Sequence, residues 1–154
     1  MRRLTLYYLF TSVFFILSCN DHLKIEENND PQRYADSQFV GSWKIVSISS
    51  NVPWDWDNNG TTETNIFATL SNCEKDNLYT FVGDKTGTFK LNCSTTKNGS
   101  WEIINQLYLN YTPSGMPLEQ AKVILMTSVQ FQTTIAVTLS NGQPAIITKT
   151  WTRQ

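Results

Sequence analysis

The fold of this chain is decided by residues 39–48, which read FVGSWKIVSI. β-Branched and aromatic side chains dominate the part from Trp43 to Ile48, and such residues favour extended strands. Apolar residues lie on both faces of this first strand, so the pattern does not fix which of them point inward. The folded part of the chain therefore opens with a strand.

Seven further strand-like runs follow, separated by turn residues. They span residues 78–82, 86–92, 101–105, 107–111, 123–131, 134–140 and 145–153. The connection Gly83-Asp84-Lys85 predicts a hairpin, and Asn141-Gly142 is the strongest turn signal in the chain. Within 61–73 the apolar residues recur at helical spacing, which predicts a short helix between the first two strands. Short strands at this spacing predict an antiparallel sandwich or barrel.

Length, composition and charge exclude several classes of protein. The chain has 154 residues, of which 40% are hydrophobic and 16% charged, and a formal net charge of −1. This suits one domain with an apolar core and no nucleic-acid binding, which needs a basic patch. The single histidine, His22, precedes the strands, and the carboxylates are scattered through predicted turns. The sequence therefore predicts no enzyme active site.

The first residues have the organisation of an export signal. Arg2 and Arg3 precede an apolar run from residue 4 to residue 17, which is shorter than a membrane-spanning helix of about 20 residues. The segment Ile16-Leu17-Ser18-Cys19 resembles the bacterial lipobox, and this implies cleavage before Cys19 and acylation of that residue. Several acyl chains anchor a protein stably. An ordinary signal peptide or a short anchor is the alternative.

The predicted organisation has three parts. Residues 1–18 form the lipoprotein signal peptide, residues 19–38 form the lipidated cysteine with a flexible polar tether, and residues 39–154 form the β-domain. The expected protein is exported and lipid-anchored at the outer membrane or cell surface. We expect a monomer whose membrane contact is the lipid anchor.

Three residues carry a resemblance to a known superfamily. Gly41-Ser42-Trp43 resembles the Gly-x-Trp signature of lipocalins and their relatives, in which the tryptophan closes one barrel end and an arginine lies across it. Arg153 follows Trp151 at the matching place, and a guanidinium over an indole is a favourable contact. The resemblance implies one all-β, antiparallel up-and-down barrel of about eight strands. Gly41, Trp43 and Arg153 would close it.

The order of motifs is also similar to that of lipocalin-like lipoproteins of Bacteroidetes. It runs from the lipobox and polar tether through Gly-Ser-Trp-Lys to an Asp- and Asn-rich loop and a second cysteine. An eight-stranded barrel holds one small ligand or is filled by side chains. The expected function is binding of a small apolar or amphipathic ligand. The alternative is a structural or accessory lipoprotein whose loops contact another surface protein or a glycan.

Cys73 and Cys93 are the two cysteines beyond the lipobox. An even pair in an exported domain predicts a disulfide. The alternative is a reactive thiol, which needs a nearby cation to lower the pKa of the sulfur. Lys75 is the only nearby cation in the sequence, so the disulfide is favoured.

Residues 54–63, WDWDNNGTTE, form the most unusual segment. Asp55, Asp57 and Asn59 alternate before Gly60, as do the first oxygen ligands of an EF-hand loop. Glu63 would replace the missing glutamate at the twelfth position. The segment predicts a weak Ca²⁺ site, the only cofactor considered, or else a polar turn that bonds its own backbone. Its two tryptophans would contact a ligand or partner, or cover the barrel end: Trp54 and Trp56.

Overall fold

The computed structural model describes residues 33–154, which form a closed barrel of eight strands, each hydrogen-bonded to its sequence neighbours. The strands are β1 Gly41–Ser50, β2 Leu78–Phe81, β3 Thr86–Leu91, β4 Thr95–Ile104, β5 Tyr108–Pro113, β6 Glu119–Met126, β7 Gln130–Thr138 and β8 Pro144–Arg153. All neighbours are antiparallel, and β1 closes the barrel by pairing with β8. The predicted all-β up-and-down barrel is confirmed.

Strand alternation places the core inside this barrel. In β3, Gly87, Phe89 and Leu91 are buried while the residues between them are exposed. The same alternation in β8 points Ala145, Ile147 and Trp151 inward. An interior built from alternate residues is what a barrel with one solvated face requires.

The largest differences from the predicted strands lie around the turn between β6 and β7 and at the starts of β4 and β6, the latter at Glu119 and not at Val123. The run 123–131 is divided by a turn at 127–129, where the Thr127 hydroxyl accepts a hydrogen bond from the Gln130 backbone N–H at 3.0 Å. Strand β4 begins at Thr95, six residues before the predicted start at Trp101. Its first half is polar, and its pairing with β3 rather than burial makes it a strand.

The predicted helical segment forms two single-turn helices, α1 Ile66–Thr69 and α2 Asn72–Lys75. The Ser71 hydroxyl accepts a hydrogen bond from the Glu74 backbone N–H, and the Glu74 carboxylate accepts one from the Ser71 backbone N–H. This capping box begins α2 and separates it from α1. The position of the helical segment between β1 and β2 is confirmed. In the part of the chain that the structure describes, no helix is long and apolar enough to span a membrane.

Residues 34–38, which were predicted to be part of the tether, pack against the barrel instead. Tyr34 is buried, its backbone N–H donates to the Gln106 carbonyl at 2.8 Å, and a 3₁₀ turn follows at Asp36–Gln38. The Tyr34 ring meets the Phe39 ring edge-on at 6.4 Å. Apolar contact therefore orders this segment across one barrel end, called here the closed end. Residues 1–32, with the signal segment, Cys19 and His22, lie outside the described residues.

Aromatic side chains fill most of the barrel interior. The largest fully buried ones are Phe39, Trp43, Phe81, Phe89, Trp101, Phe131 and Trp151. Phe131 stacks on Trp151 with ring centroids 5.1 Å apart, and Trp43 meets Phe131 edge-on at 4.7 Å. Aromatic pairs in these geometries stabilise a core beyond the area they bury. The unfilled interior is therefore confined to the opposite end, called here the open end.

Candidate functional site

Three residues that the sequence singled out meet at the closed end. The Arg153 guanidinium lies 4.3 Å from the centre of the Trp43 ring, and the Trp43 indole N–H donates to the Phe39 carbonyl at 2.7 Å. Gly41 has a φ of +135°, and a Cβ there would collide with the guanidinium of Arg153. Glycine at this position is therefore required both by the backbone and by the arginine. This end of the barrel is a structural plug rather than a binding site.

The open end holds two cavities separated by an ion pair. One, of about 250 Å³, has walls of isoleucine and valine from β1, β7 and β8: Ile48, Ile135, Val137 and Ile147. The other, of about 220 Å³, lies beside Tyr79, Tyr111 and the connection between β5 and β6. Lys149 lines the first cavity and Glu119 the second. The ammonium group of Lys149 donates to both carboxylate oxygens of Glu119, at 2.7 and 2.8 Å.

Trp54 and Trp56 line the larger cavity from the loop between β1 and β2. Their rings meet edge-on with centroids 6.2 Å apart, and Trp56 is 39% exposed. Backbone hydrogen bonds between Trp54 and Glu63, of 3.1 and 2.9 Å, hold the two arms of this loop together. Both tryptophans therefore stand at the mouth of the barrel, where they contact the cavity and the solvent.

Two buried tyrosines lie beside the ion pair. Burial, with a smaller contribution from the charge of Glu119, raises the pKa of Tyr79 to about 12. Burial and the same carboxylate raise the pKa of Tyr111 well above its ordinary value, and the Tyr111 hydroxyl hydrogen-bonds Glu119. A phenol with a raised pKa keeps its proton at neutral pH. The site at the open end therefore contains two neutral phenols and one neutralised ion pair.

Three of the four predicted calcium ligands hydrogen-bond the backbone of their own loop. Asp55 accepts hydrogen bonds from the backbone N–H groups of Asn59 and Gly60, each at 3.0 Å. Asp57 accepts from the Asn59 backbone at 3.2 Å, and Asn59 accepts from the Thr61 backbone at 2.8 Å. These side chains hold a turn, which is the alternative stated for this segment.

Glu63, the fourth predicted ligand, makes different contacts from those three residues. Its backbone pairs with Trp54, and its buried Oε2 atom has no hydrogen-bond partner within residues 33–154. Across the same residues, no three His, Cys, Asp or Glu side chains form a group that could hold a metal ion. Calcium binding stays a prediction from the sequence, and the geometry of the loop argues against it.

Cys73 and Cys93 form the predicted disulfide. Cys73 belongs to α2 and Cys93 to the tight turn between β3 and β4, where Asn92 and Cys93 both have positive φ. Left-handed backbone at two successive non-glycine residues is uncommon, and here it forms the sharp reversal of the hairpin. The bond fixes the helical segment, and with it one side of the open end, to the barrel wall.

Sequence reasoning missed the ion pair of Glu119 and Lys149. The signal for Lys149 was present, because it alternates with Ile147 and Trp151, both buried, and so must point inward. Glu119 carried no such signal, since the sequence prediction began that strand only at Val123. The pair brings the two strands β6 and β8 together across the interior.

Most of the barrel, from the segment before β1 to Lys149 in β8, lies within one family match. A family model described as a domain of unknown function, DUF5004, matches residues 27–149. The chain belongs to the DUF5004 family. No curated protein matches this DUF5004 chain.

Solved structures similar to this DUF5004 barrel include those of bovine odorant-binding protein. The complex with its natural ligand is 13% identical, has a TM-score of 0.41, and is matched over 80% of this chain and 76% of that chain. A complex with a selenium-containing odorant is 15% identical with the same TM-score and the same coverage. A deswapped triple mutant is 14% identical, with a TM-score of 0.40 and coverage of 76% and 74%. At this level of similarity the matches say nothing about a ligand of the present chain.

Proposed function

We propose that this barrel is a non-catalytic protein that binds a small, mostly apolar ligand at its open end. One observation carries the proposal: aromatic side chains fill most of the interior, yet an apolar cavity of about 250 Å³ remains between Trp54, Trp56 and the strand wall. An engineered apolar cavity of about 150 Å³ stays dry and binds benzene. The cavity in this barrel therefore suits a ligand somewhat larger than one aromatic ring.

A second candidate function has its own supporting observation. Trp56 is 39% exposed at the mouth, and tryptophan is enriched where proteins contact one another. An accessory protein would use this loop to contact another surface protein or a glycan. The two functions differ in whether a ligand enters between the tryptophans and the strand wall or stays outside them.

Binding of isopropylbenzene to the purified domain tests the first function. We expect a dissociation constant on the order of 10⁻⁴ M, or about −5.5 kcal/mol, which is well within the limit for so few atoms. Val137→Trp fills the cavity and should weaken binding at least about tenfold, since a ring then occupies the ligand's space. Isothermal titration calorimetry measures the affinity, and the NMR chemical shifts of the Trp54 and Trp56 indole N–H groups report on ligand contact.

The matched control is Ala136→Trp, one residue away in the same strand. Successive residues of a strand point to opposite faces, and Ala136 is exposed on the outside of β7. This variant should therefore bind isopropylbenzene as the wild type does. Absence of binding to the wild type, or equal loss in both variants, would contradict the cavity as the binding site and favour the accessory function.

We also propose that the protein is exported and anchored by lipid on Cys19, on the strength of the lipobox-like segment. The described chain enters the barrel at its closed end, where Tyr34 packs on Phe39. Lipid on Cys19 and a ligand at the open end would involve different parts of the chain, so the two proposals are compatible.

Replacing Cys19 with serine tests the anchor. Cys19→Ser removes the sulfur that would carry the lipid, so the protein should move from the membrane fraction to the soluble fraction and lose labelling by a fatty-acid probe. Ser18→Ala keeps a small residue before the cysteine and should leave the membrane fractionation and the fatty-acid labelling unchanged. An unlabelled wild type, or a serine variant that stays in the membrane fraction, would contradict the lipid anchor.

A further inference from the structure

The ion pair at the open end restricts which ligands fit the cavity. Resting on the ligand-binding function proposed above, we infer that the ligand is electrically neutral and carries one hydrogen-bond acceptor, such as a ketone or aldehyde oxygen, which binds the ammonium group of Lys149. The remainder of the ligand is apolar and lies between the tryptophans and the isoleucine wall. The inference names the chemistry of the ligand rather than its presence.

Lys149 is the one charged residue among those that line this cavity. Every other residue that lines it is Ile, Val or Trp, and the Lys149 side chain is only 15% exposed. An ammonium group has three N–H donors. Within residues 33–154 its hydrogen bonds go to Glu119 alone, at 2.7 and 2.8 Å. One donor is therefore left for an acceptor that enters the cavity.

The charge of the pair selects against an anionic ligand. Glu119 already neutralises Lys149, and the Glu119 side chain is only 29% exposed. A ligand carboxylate bound to the same ammonium would place a second negative charge beside Glu119 in a poorly solvated site, which is unfavourable. The neighbouring phenols of Tyr79 and Tyr111 are neutral and add no positive charge that would balance it.

A cationic ligand and a pure hydrocarbon are disfavoured for different reasons. Glu119, the carboxylate of the ion pair, lines the other cavity, so a cation in the apolar cavity would face the ammonium of Lys149. A hydrocarbon of the right shape fits, but it covers the remaining N–H donor and leaves it without a partner. Sites built to hydrogen-bond a ligand discriminate strongly against analogues that lack the bonding group.

Three compounds with one ring and a three-atom substituent separate these possibilities. Acetophenone carries a neutral acceptor, isopropylbenzene carries none, and benzoate carries a charge. Calorimetric titration of the wild-type domain should give acetophenone an affinity about tenfold higher than isopropylbenzene, as expected for a hydrogen bond from a charged donor. Benzoate should bind most weakly.

Two variants test whether the preference for acetophenone over the other two compounds comes from the ion pair. Glu119→Gln removes the repelling charge and keeps the ammonium, so benzoate should gain at least about tenfold in affinity. The double variant Lys149→Met with Glu119→Met replaces the pair by apolar side chains, a change that barrels and other cores often tolerate. In it, acetophenone and isopropylbenzene should bind within about twofold of each other. If the double variant does not fold, the wild-type series and Glu119→Gln decide the matter.

The outcomes separate the inference from the function on which it rests. Equal affinities of acetophenone and isopropylbenzene for the wild type, or tightest binding by benzoate, would overturn the inference and leave the apolar binding site standing. A preference for acetophenone that persists in the double variant would also overturn it. Failure of all three compounds to bind would overturn the binding function and the inference together.

Discussion

Removal of the Cys73–Cys93 disulfide should lower the free energy of unfolding by about 3 kcal/mol, because the bond closes a loop with a sequence separation of 20 residues. For a domain of this size the loss corresponds to about 10 °C in the melting temperature. The bond also ties α2 to the turn between β3 and β4. Beside it, the Asn77 side chain accepts a hydrogen bond from the Asn92 backbone at 2.7 Å.

The measurement is urea unfolding of the double variant Cys73→Ala with Cys93→Ala, in which no single thiol is left to react. Reductant added to the wild type should reproduce the loss, and reductant added to the double variant should change nothing. The loss should appear as a lower unfolding midpoint of a barrel that still folds, since neither cysteine belongs to the buried apolar core. Two free thiols in the wild type without reductant would contradict the disulfide.

The barrel was largely predictable because buried and exposed residues alternate along its strands, or because the strands end in residues that favour turns. The hairpin at Gly83-Asp84-Lys85 and the turn at Asn141-Gly142 both lie where the sequence places them. The division between β6 and β7 was not predictable, because Thr127 and Val129 are themselves β-prone. There the Thr127 hydroxyl, which bonds the backbone of Val129 and Gln130, makes the turn.

The open end could be predicted only in part. The unusual loop pointed to Trp54 and Trp56, and both line the cavity. Its carboxylates satisfy the backbone of their own turn, and composition alone does not distinguish that use from metal binding. The ion pair between Glu119 and Lys149 depends on the stagger of two strands that are not neighbours. Barrel closure, rather than any local pattern, brings these residues together.

How far the interior is filled was also beyond the sequence. The chain has 5 Trp, 6 Tyr and 8 Phe, and their positions do not reveal whether they leave a cavity. In the structure the rings gather toward the closed end, where Phe39 and the segment before β1 add to those of the strands. Of these residues, Tyr34 lies in the segment predicted to be a tether. The apolar cavity remains where the strands supply isoleucine and valine instead of aromatic rings.

Arg153→Ala should lower the free energy of unfolding by about 3 kcal/mol, because Arg153 joins three elements at the closed end. Its guanidinium lies over Trp43 at 4.3 Å and donates to the carbonyls of Gln38 and Val40 at 2.9 and 2.8 Å. Its Nε–H donates to the Ser128 carbonyl at 2.8 Å. Loss of the side chain leaves these three carbonyls without their charged donor and uncovers the tryptophan.

Arg153→Lys is the matched control for that substitution. A lysine keeps the charge and the apolar stem but has no planar fork, so it can serve one or two of the carbonyls and should restore about half of the lost stability. Urea unfolding monitored by Trp fluorescence measures both variants. Isopropylbenzene should still bind Arg153→Ala below its unfolding transition, since its cavity lies at the other end of the barrel. A loss below about 1 kcal/mol, comparable to that of an exposed cation, would show that Arg153 does not close the barrel.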